Sequence, residues 1–218
     1  MSKYKKFSKL VQEVIKSLSM YSGTSVQIYA EDRIAMMLQR CYNQLFDDHY
    51  WTDTIEWFKY TLSGFDGLCN EDVSKDITSF HDIMNISTEN NPQYSLRKLH
   101  TTTNPYLIVG DTPAYYTSTN IENKIFRIVP FDAKGTIYVQ ARKRITEFDE
   151  ETIVNIDPDL LILHVCWEYC IDDGNNKSAA DKFMQMFTER KNTLLALENQ
   201  GTFDYNDEEA YVGNNSWR

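Results

Sequence analysis

The chain has 218 residues, enough for one large domain or two small ones, and its 42% hydrophobic content is enough for a real core. The apolar residues are spread too evenly for a membrane span. A net charge of −10 argues against a protein that grips nucleic acid by counterion release, though not against one that nucleic acid slides past.

The first predicted element is a helix over Lys5 to Ser19. Phe7, Leu10, Val11, Val14, Ile15 and Leu18 make an i, i+3, i+4, i+7 stripe, with Lys9, Glu13 and Lys16 off it. No signal-peptide pattern opens the chain, which is expected of a soluble, intracellularly made protein. Lys3, Lys5, Lys6 and Lys9 give the chain a basic start. A second helix is expected from about Ser25 to Asp47, with the stripe Val26, Ala30, Ile34, Met37, Leu38, Cys41 and Leu45. Neither helix can bury its stripe alone.

At Tyr50 the hydrophobic period changes from 3.6 to 2. Trp51 to Leu62 alternates and is rich in aromatic and β-branched residues, which predicts a strand. Both of its faces carry large apolar groups, so either the chain covers both or a neighbouring subunit covers one. Ser63 to Gly67 reads as a turn. Asp76 to Asn85 reads as a strand or an irregular edge, Tyr106 to Val109 is a short apolar run, and Ala114 to Thr119 and Asn123 to Pro130 are further strands. Phe131 to Gly135 has the composition of a hairpin turn, and Thr136 to Ile145 alternates again, with Ile137, Val139 and Ala141 on one face. Together these predict a small antiparallel sheet or sandwich.

Ile156 to Gly201 then reads as two helices joined by a tight turn. Asp157 stands where an N-cap belongs and Pro158 follows at the first helical position. Gly174 is a natural stop, Ser178 with Asp181 resembles a capping box, and Gly201 ends the pair. Two helices joined so closely lie antiparallel and share a core. The remaining tail lacks amphipathic periodicity and is acidic, yet it keeps Phe203, Tyr205, Tyr211 and Trp217, an aromatic content unusual for a free tail.

The fold class expected is therefore α+β: a four-helix bundle from the N- and C-terminal helix pairs, with an inserted antiparallel β-sheet or small sandwich. The domain boundaries expected are 1–48 and 154–201 for the bundle, 49–153 for the insertion and 202–218 for an extended tail.

The sequence holds no phosphate-binding glycine loop, no H-E-x-x-H and no C-x-x-C. Cys41, Cys69, Cys166 and Cys170 show no paired spacing and read as reduced, buried thiols. Cys166 and Cys170 share a helix face near His164 in sequence, but a metal needs further ligands from adjacent elements, and a catalytic thiol needs a basic neighbour. Asp47-Asp48 and Asp172-Asp173 are adjacent pairs that cannot face each other on a helix, so they make poor acid/base pairs. Gln140 to Arg144 is the one interior basic cluster. It suits a solvated strand end, or a surface facing DNA or an acidic partner. Neither an enzymatic activity nor a cofactor or metal is expected.

The order of elements resembles the head-to-tail adaptor proteins of short-tailed bacteriophages, the tail tubular protein A group. The resemblance is carried by Leu10-Val11-Gln12-Glu13-Val14, Ala30-Glu31-Asp32-Arg33-Ile34-Ala35, the aromatic strands after Tyr50, and the close Ile156-Asp157-Pro158-Asp159-Leu160-Leu161 with Ala179-Ala180-Asp181-Lys182-Phe183. It implies a structural protein of the virion neck, made in the host cytoplasm, that forms a ring of commonly twelve subunits beneath the portal. The implied partners are the portal protein, a tail nozzle or tail tube protein, further copies of the chain, and genomic DNA passing through the lumen unbound, with no membrane. On this resemblance Phe203, Tyr205, Tyr211 and Trp217 would be portal anchors, and Trp51, Trp57, Tyr60 and Tyr138 a tail-facing or inter-subunit β surface. The alternative is another neck or tail component, such as a terminator or a nozzle-proximal ring protein.

Overall fold

A computed structural model describes residues 4–22, 30–89, 91–173 and 176–212, with the backbone alone from 200 onward. Lys3, Ser25, Val26, Gly174 and Trp217 lie outside the described residues. Among the described residues the chain is α+β, with four helices and two small sheets. The helices are α1 (Phe7–Ser22), α2 (Ala30–Asp48), α3 (Pro158–Asp173) and α4 (Lys177–Val212). The chain divides into two compact units, one of residues 1–53 with 147–218 and the other of residues 54–146.

The helical unit is built around α3. Leu160, Leu161, Ile162, His164, Val165, Cys166 and Cys170 are all buried, so α3 is covered around much of its circumference. α1 lies against it, with the Cys166 thiol 4.0 Å from the Val14 carbonyl oxygen. α2 reaches it through Arg40 on Glu168 and through Arg33, 3.5 Å from Asp172. α4 reaches it through Phe187, whose ring lies 4.8 Å from that of His164. The expected stripes are the buried ones: Leu10, Val14 and Leu18 on α1, and Ile34, Leu38, Cys41 and Leu45 on α2, joined there by Tyr42 and Phe46. The segment before α1 pairs with the segment before α3. Lys6 bridges Ile153, the Phe7 amide donates to the Thr152 carbonyl at 2.8 Å, and the Val154 amide donates to that of Lys5 at 3.1 Å.

α3 begins as its sequence suggests. The Asp157 Oδ1 accepts from the Leu160 amide at 2.9 Å, a side-chain cap with Pro158 in the first turn. The same carboxylate takes Arg190 of α4 at 3.1 Å and 2.6 Å. α4 differs from expectation at both ends. Its N-cap is Asn176, whose Oδ1 accepts from the Ala179 amide at 3.1 Å, so Ser178 lies inside the helix. The helix also continues through Gly201 to Val212, so residues 202–212 are helical rather than extended.

In the β unit, β1 (Ile55–Ser63), β2 (Ile83–Ser87) and β6 (Lys134–Arg142) form one sheet in the order β1-β6-β2, antiparallel throughout. The short β3 (Arg97–Lys98), β4 (Tyr115–Ser118) and β5 (Phe126–Val129) form the second, with β3 parallel and β5 antiparallel to β4. The turn after Val129 is therefore no hairpin: β5 and β6 belong to different sheets, and the turn carries the chain from one to the other. Phe58, Tyr60, Leu62, Ile86, Phe126, Ile128, Ile137 and Val139 fill the core of the unit. Gly67 closes the turn after β1 at φ +66°, where a Cβ would lie 2.0 Å from the Ile128 carbonyl oxygen, so no side chain fits. Arg142, expected at a solvated basic strand end, is buried instead. Its guanidinium donates to Asp82 Oδ1 at 2.6 Å and 3.1 Å, which closes the basic-cluster reading at that position.

Asp157 both caps α3 and neutralises Arg190, so the two roles separate by substitution. Asp157→Asn keeps a capping oxygen and loses the ion pair, whereas Asp157→Ala loses both. Urea denaturation should show Asp157→Ala less stable than Asp157→Asn by about 1 kcal/mol, the usual worth of a cap. Equal losses in the two variants would show that the cap contributes nothing.

Candidate interaction surfaces and a buried Cys41–His164–Glu168 cluster

Among the described residues, Cys41 of α2 and His164 and Glu168 of α3 offer potential metal-ligand atoms within 4.8 Å of one another. His164 and Glu168 are four apart and share a helix face, with Nε2 3.6 Å from Glu168 Oε1. The other oxygen of Glu168 takes the Arg40 guanidinium, which raises the arginine pKa further. Burial, and then the Glu168 carboxylate, pushes the Cys41 thiol pKa far up. Burial lowers that of His164, against the opposing pull of Glu168. At neutral pH the thiol and the imidazole are thus uncharged.

The arrangement fits a metal poorly. A metal needs the Cys41 thiolate, which burial disfavours. A metal-bound imidazole also donates its second ring N–H to a partner, yet among the described residues His164 Nδ1 is buried with no hydrogen-bond partner. The His164 ring is held instead by stacking, on Phe187 at 26° and on Trp167 at 17° between planes. The same burial disfavours the nucleophilic thiolate form of Cys41. Burial raises the pKa of Cys166 as well, and pushes that of Cys69 up to about 12. The sequence did not reveal this convergence, because Cys41 and His164 lie on helices far apart in the chain; the i, i+4 spacing of His164 and Glu168 was the one local signal.

The aromatic residues expected on an exposed β surface divide. Trp51 is not in a strand. It belongs to the helical unit, is buried, and donates from Nε1 to the Leu45 carbonyl at 2.6 Å. Tyr60 faces the β core and donates to Asp76 Oδ2 at 2.9 Å. Trp57 and Tyr138 are half-buried on the other face of the β1/β6 pair, where Trp57 lies opposite Gln140 and Tyr138 opposite Lys59. Of the expected anchors, Phe203, Tyr205 and Tyr211 fall within the backbone of α4, and Trp217 lies outside the described residues.

One run of exposed apolar residues in the β unit was not expected at its surface. Tyr106, Leu107 and Val109 are 69%, 78% and 88% exposed, in the segment between β3 and β4. Asn104 turns the chain there, its Oδ1 accepting from the Tyr106 amide at 3.0 Å. The flanking Asn-Pro and Gly-Asp-Thr-Pro were the available turn signals.

Two clefts flank α1 in the helical unit. One, of about 600 Å3, has Phe7, Val11, Ala35 and Phe148 among its lining and Glu31, Asp32, Asp149 and Glu150 along its rim. The other, of about 460 Å3, is lined by Lys16, Met20, Tyr21, Ile162, Phe183 and Arg190 among others. Among the described residues no helix is long and apolar enough to cross a membrane.

Comparison with protein-family models and with curated proteins gives no match to this chain.

The lowered pKa of His164 sets the sign of a pH dependence. Its folded value lies below the ordinary 6.5, so the unfolded chain binds more protons below that pH. The stability tied to the neutral imidazole is complete above pH 6.5 and is lost as the pH falls from there towards the folded pKa. Glu168 and Asp48 oppose the shift, whereas Arg40 and Lys191 add to it. Urea denaturation at pH 7.5 and 5.5 should show a smaller fall for His164→Phe, which keeps the stack, than for the wild type. The difference is bounded by about 1.4 kcal/mol per pH unit for one proton. An identical fall would remove His164 from the account.

Proposed function

We propose that this chain is a structural adaptor of a virion neck, similar to the head-to-tail adaptors of short-tailed bacteriophages, and that it performs no catalysis. The observation that carries the reading is the position of α3, which makes contacts with α1, α2 and α4 at once. Helices from the two ends of the chain thereby meet, and residues 54–146 between them form a compact unit of their own. In the proposal these helices are a four-helix bundle that serves as the scaffold, and the inserted β unit reaches the next component.

The two units then have different tasks. The helical unit repeats around a ring, and the tail beyond residue 201 meets the portal through Phe203, Tyr205, Tyr211 and Trp217. The β unit meets a tail nozzle or tube protein, with Tyr106, Leu107 and Val109 as the natural apolar contact and Trp57 and Tyr138 on its sheet face. The net charge of −10 suits a lumen that DNA traverses without sticking. The cluster of buried Cys41 and His164 with partly buried Glu168 supports a non-catalytic reading, since its thiol and imidazole are both held neutral by burial.

The direct test mixes the purified chain with its cognate portal protein and images the product by electron microscopy. A ring of this chain on one face of the portal is the expected result, and persistent lack of association would overturn the proposal. Removing residues 202–218 should abolish docking while leaving the helical circular-dichroism melt of the rest intact. Docking that survives the deletion would remove the anchor role from the tail.

A further inference from the structure

The two sides of α1 differ in charge. At 3.6 residues per turn, Phe7 and Val11 point to one side of α1 and Lys16, Ser17 and Met20 to roughly the opposite side, with Gln12 between them, one turn before Lys16. The first side opens onto the acidic groove. Among the described residues none of its rim carboxylates, Glu31, Asp32, Asp149 and Glu150, lies within ion-pair distance of a cation. Glu31 takes the Gln12 amide at 3.4 Å and Asp149 takes the Thr152 hydroxyl at 2.7 Å, both neutral donors. Glu31 and Asp32 also sit in the first turn of α2, where the helix dipole offsets part of their charge. Below the rim, Phe7 and Phe148 meet at 5.2 Å and floor the groove.

The opposite side carries an exposed helix end of matching chemistry, beside the second cleft, where the Tyr21 ring meets that of Phe183 edge-on at 5.3 Å. Met20 is 69% exposed and Tyr21 41% exposed at the end of α1. Lys182 of α4 holds its ammonium 4.5 Å from the centre of the Tyr21 ring, and Lys16 stands one turn before Met20. The acids on this side are already matched: Glu13 meets Lys5 at 2.5 Å, and Asp159 lies 3.9 Å from Lys5 and 4.0 Å from Arg190. An apolar end flanked by lysines thus stands across one helix from an apolar groove rimmed by carboxylates.

We propose that the occupant of the acidic groove is a second copy of this chain, which inserts the Met20–Tyr21 end of its α1 between Phe7, Val11 and Phe148 and sets Lys16 and Lys182 against the rim. The two surfaces are different and lie on opposite sides of one helix. The contact is therefore heterologous, and repeating it makes a closed ring or an open filament. A two-fold dimer would instead set acid against acid, or lysine against lysine. The inference rests on the ring proposed above for its biological setting, and it supplies the interface that ring lacks. Exposed charges of this kind are screened by salt, so the contact weakens as ionic strength rises.

The test is site-directed crosslinking with a short bismaleimide, run on the concentrated free chain and on the chain mixed with portal. The four native cysteines are all buried. A mixture of Gln12→Cys and Met20→Cys chains should give covalent dimers, a chain carrying both substitutions should give a ladder, and each single variant alone should give neither. Lys16→Glu with Lys182→Glu should cut the crosslinked fraction at least about tenfold, through like-charge contact. A partner carrying Glu31→Lys with Asp32→Lys should restore it. Self-crosslinking of either single variant, or no crosslink in either setting, would overturn the proposal. A ladder from a chain that does not dock on the portal would leave this interface standing and sink the adaptor reading; a ring on the portal without a ladder would do the reverse.

Discussion

Helix α3 has little polar surface to offer water, and that constraint organises the helical unit. Full burial of Leu160, Leu161 and Val165 alone is worth about 1.5–3 kcal/mol for each side chain, provided that neighbours cover them on more than one side. The neighbours come from both ends of the chain. α1 and α2 lie before the β segment, and α4 follows α3. Asp157 fixes where this helix starts, because one carboxylate satisfies the Leu160 amide and holds Arg190 of α4. The chain returns from the β unit beside its own N-terminal segment, through the Lys6–Ile153 bridge, and enters α3 four residues after that bridge, at Asp157.

Polar groups in both units are spent on holding shape. Arg142 and Asp82 lock the end of β6 to the turn that precedes β2. Arg127 binds Asp66 and lies 4.0 Å from the Phe131 ring, which ties the turn after β1 to β5 and to the crossover that follows it. Arg40 with Glu168 closes the one cluster of metal-like composition among the described residues. The surfaces left over are an apolar β segment around Leu107, an acidic groove and a lysine-flanked helix end.

α1 and α2 were legible in the sequence because their stripes have one period and bury one face each. Leu10, Val14, Ile34, Leu38 and Cys41 follow from spacing alone. The Asp157 cap was legible for a similar reason, since an Asp-Pro pair before an apolar run has few other uses. Trp51 was misplaced because an aromatic residue next to a strand looks like part of it. Only the tertiary packing shows that its indole N–H is needed at the C-terminal end of α2, on Leu45. Arg142 was misread because its partner, Asp82, lies sixty residues earlier in the chain. The sheet change after Val129 was hidden for a related reason: a turn sequence specifies a bend, and which strands then pair is settled by the core. The two clefts beside α1 needed three-dimensional placement, because Phe148 and Glu150 join Glu31 and Asp32 only when the chain ends meet.

The central claim is that the two ends of the chain form one cooperative body about α3. Native-state hydrogen exchange across a denaturant series measures this directly, because amides that open together share one opening free energy and one denaturant slope. The account predicts that the core amides of α1, at Leu10 and Val14, open with the same free energy and slope as those of α3, at Val165 and Cys166. Exchange of α1 at a separate, lower free energy and with a shallower slope, while α3 stays closed, would contradict it.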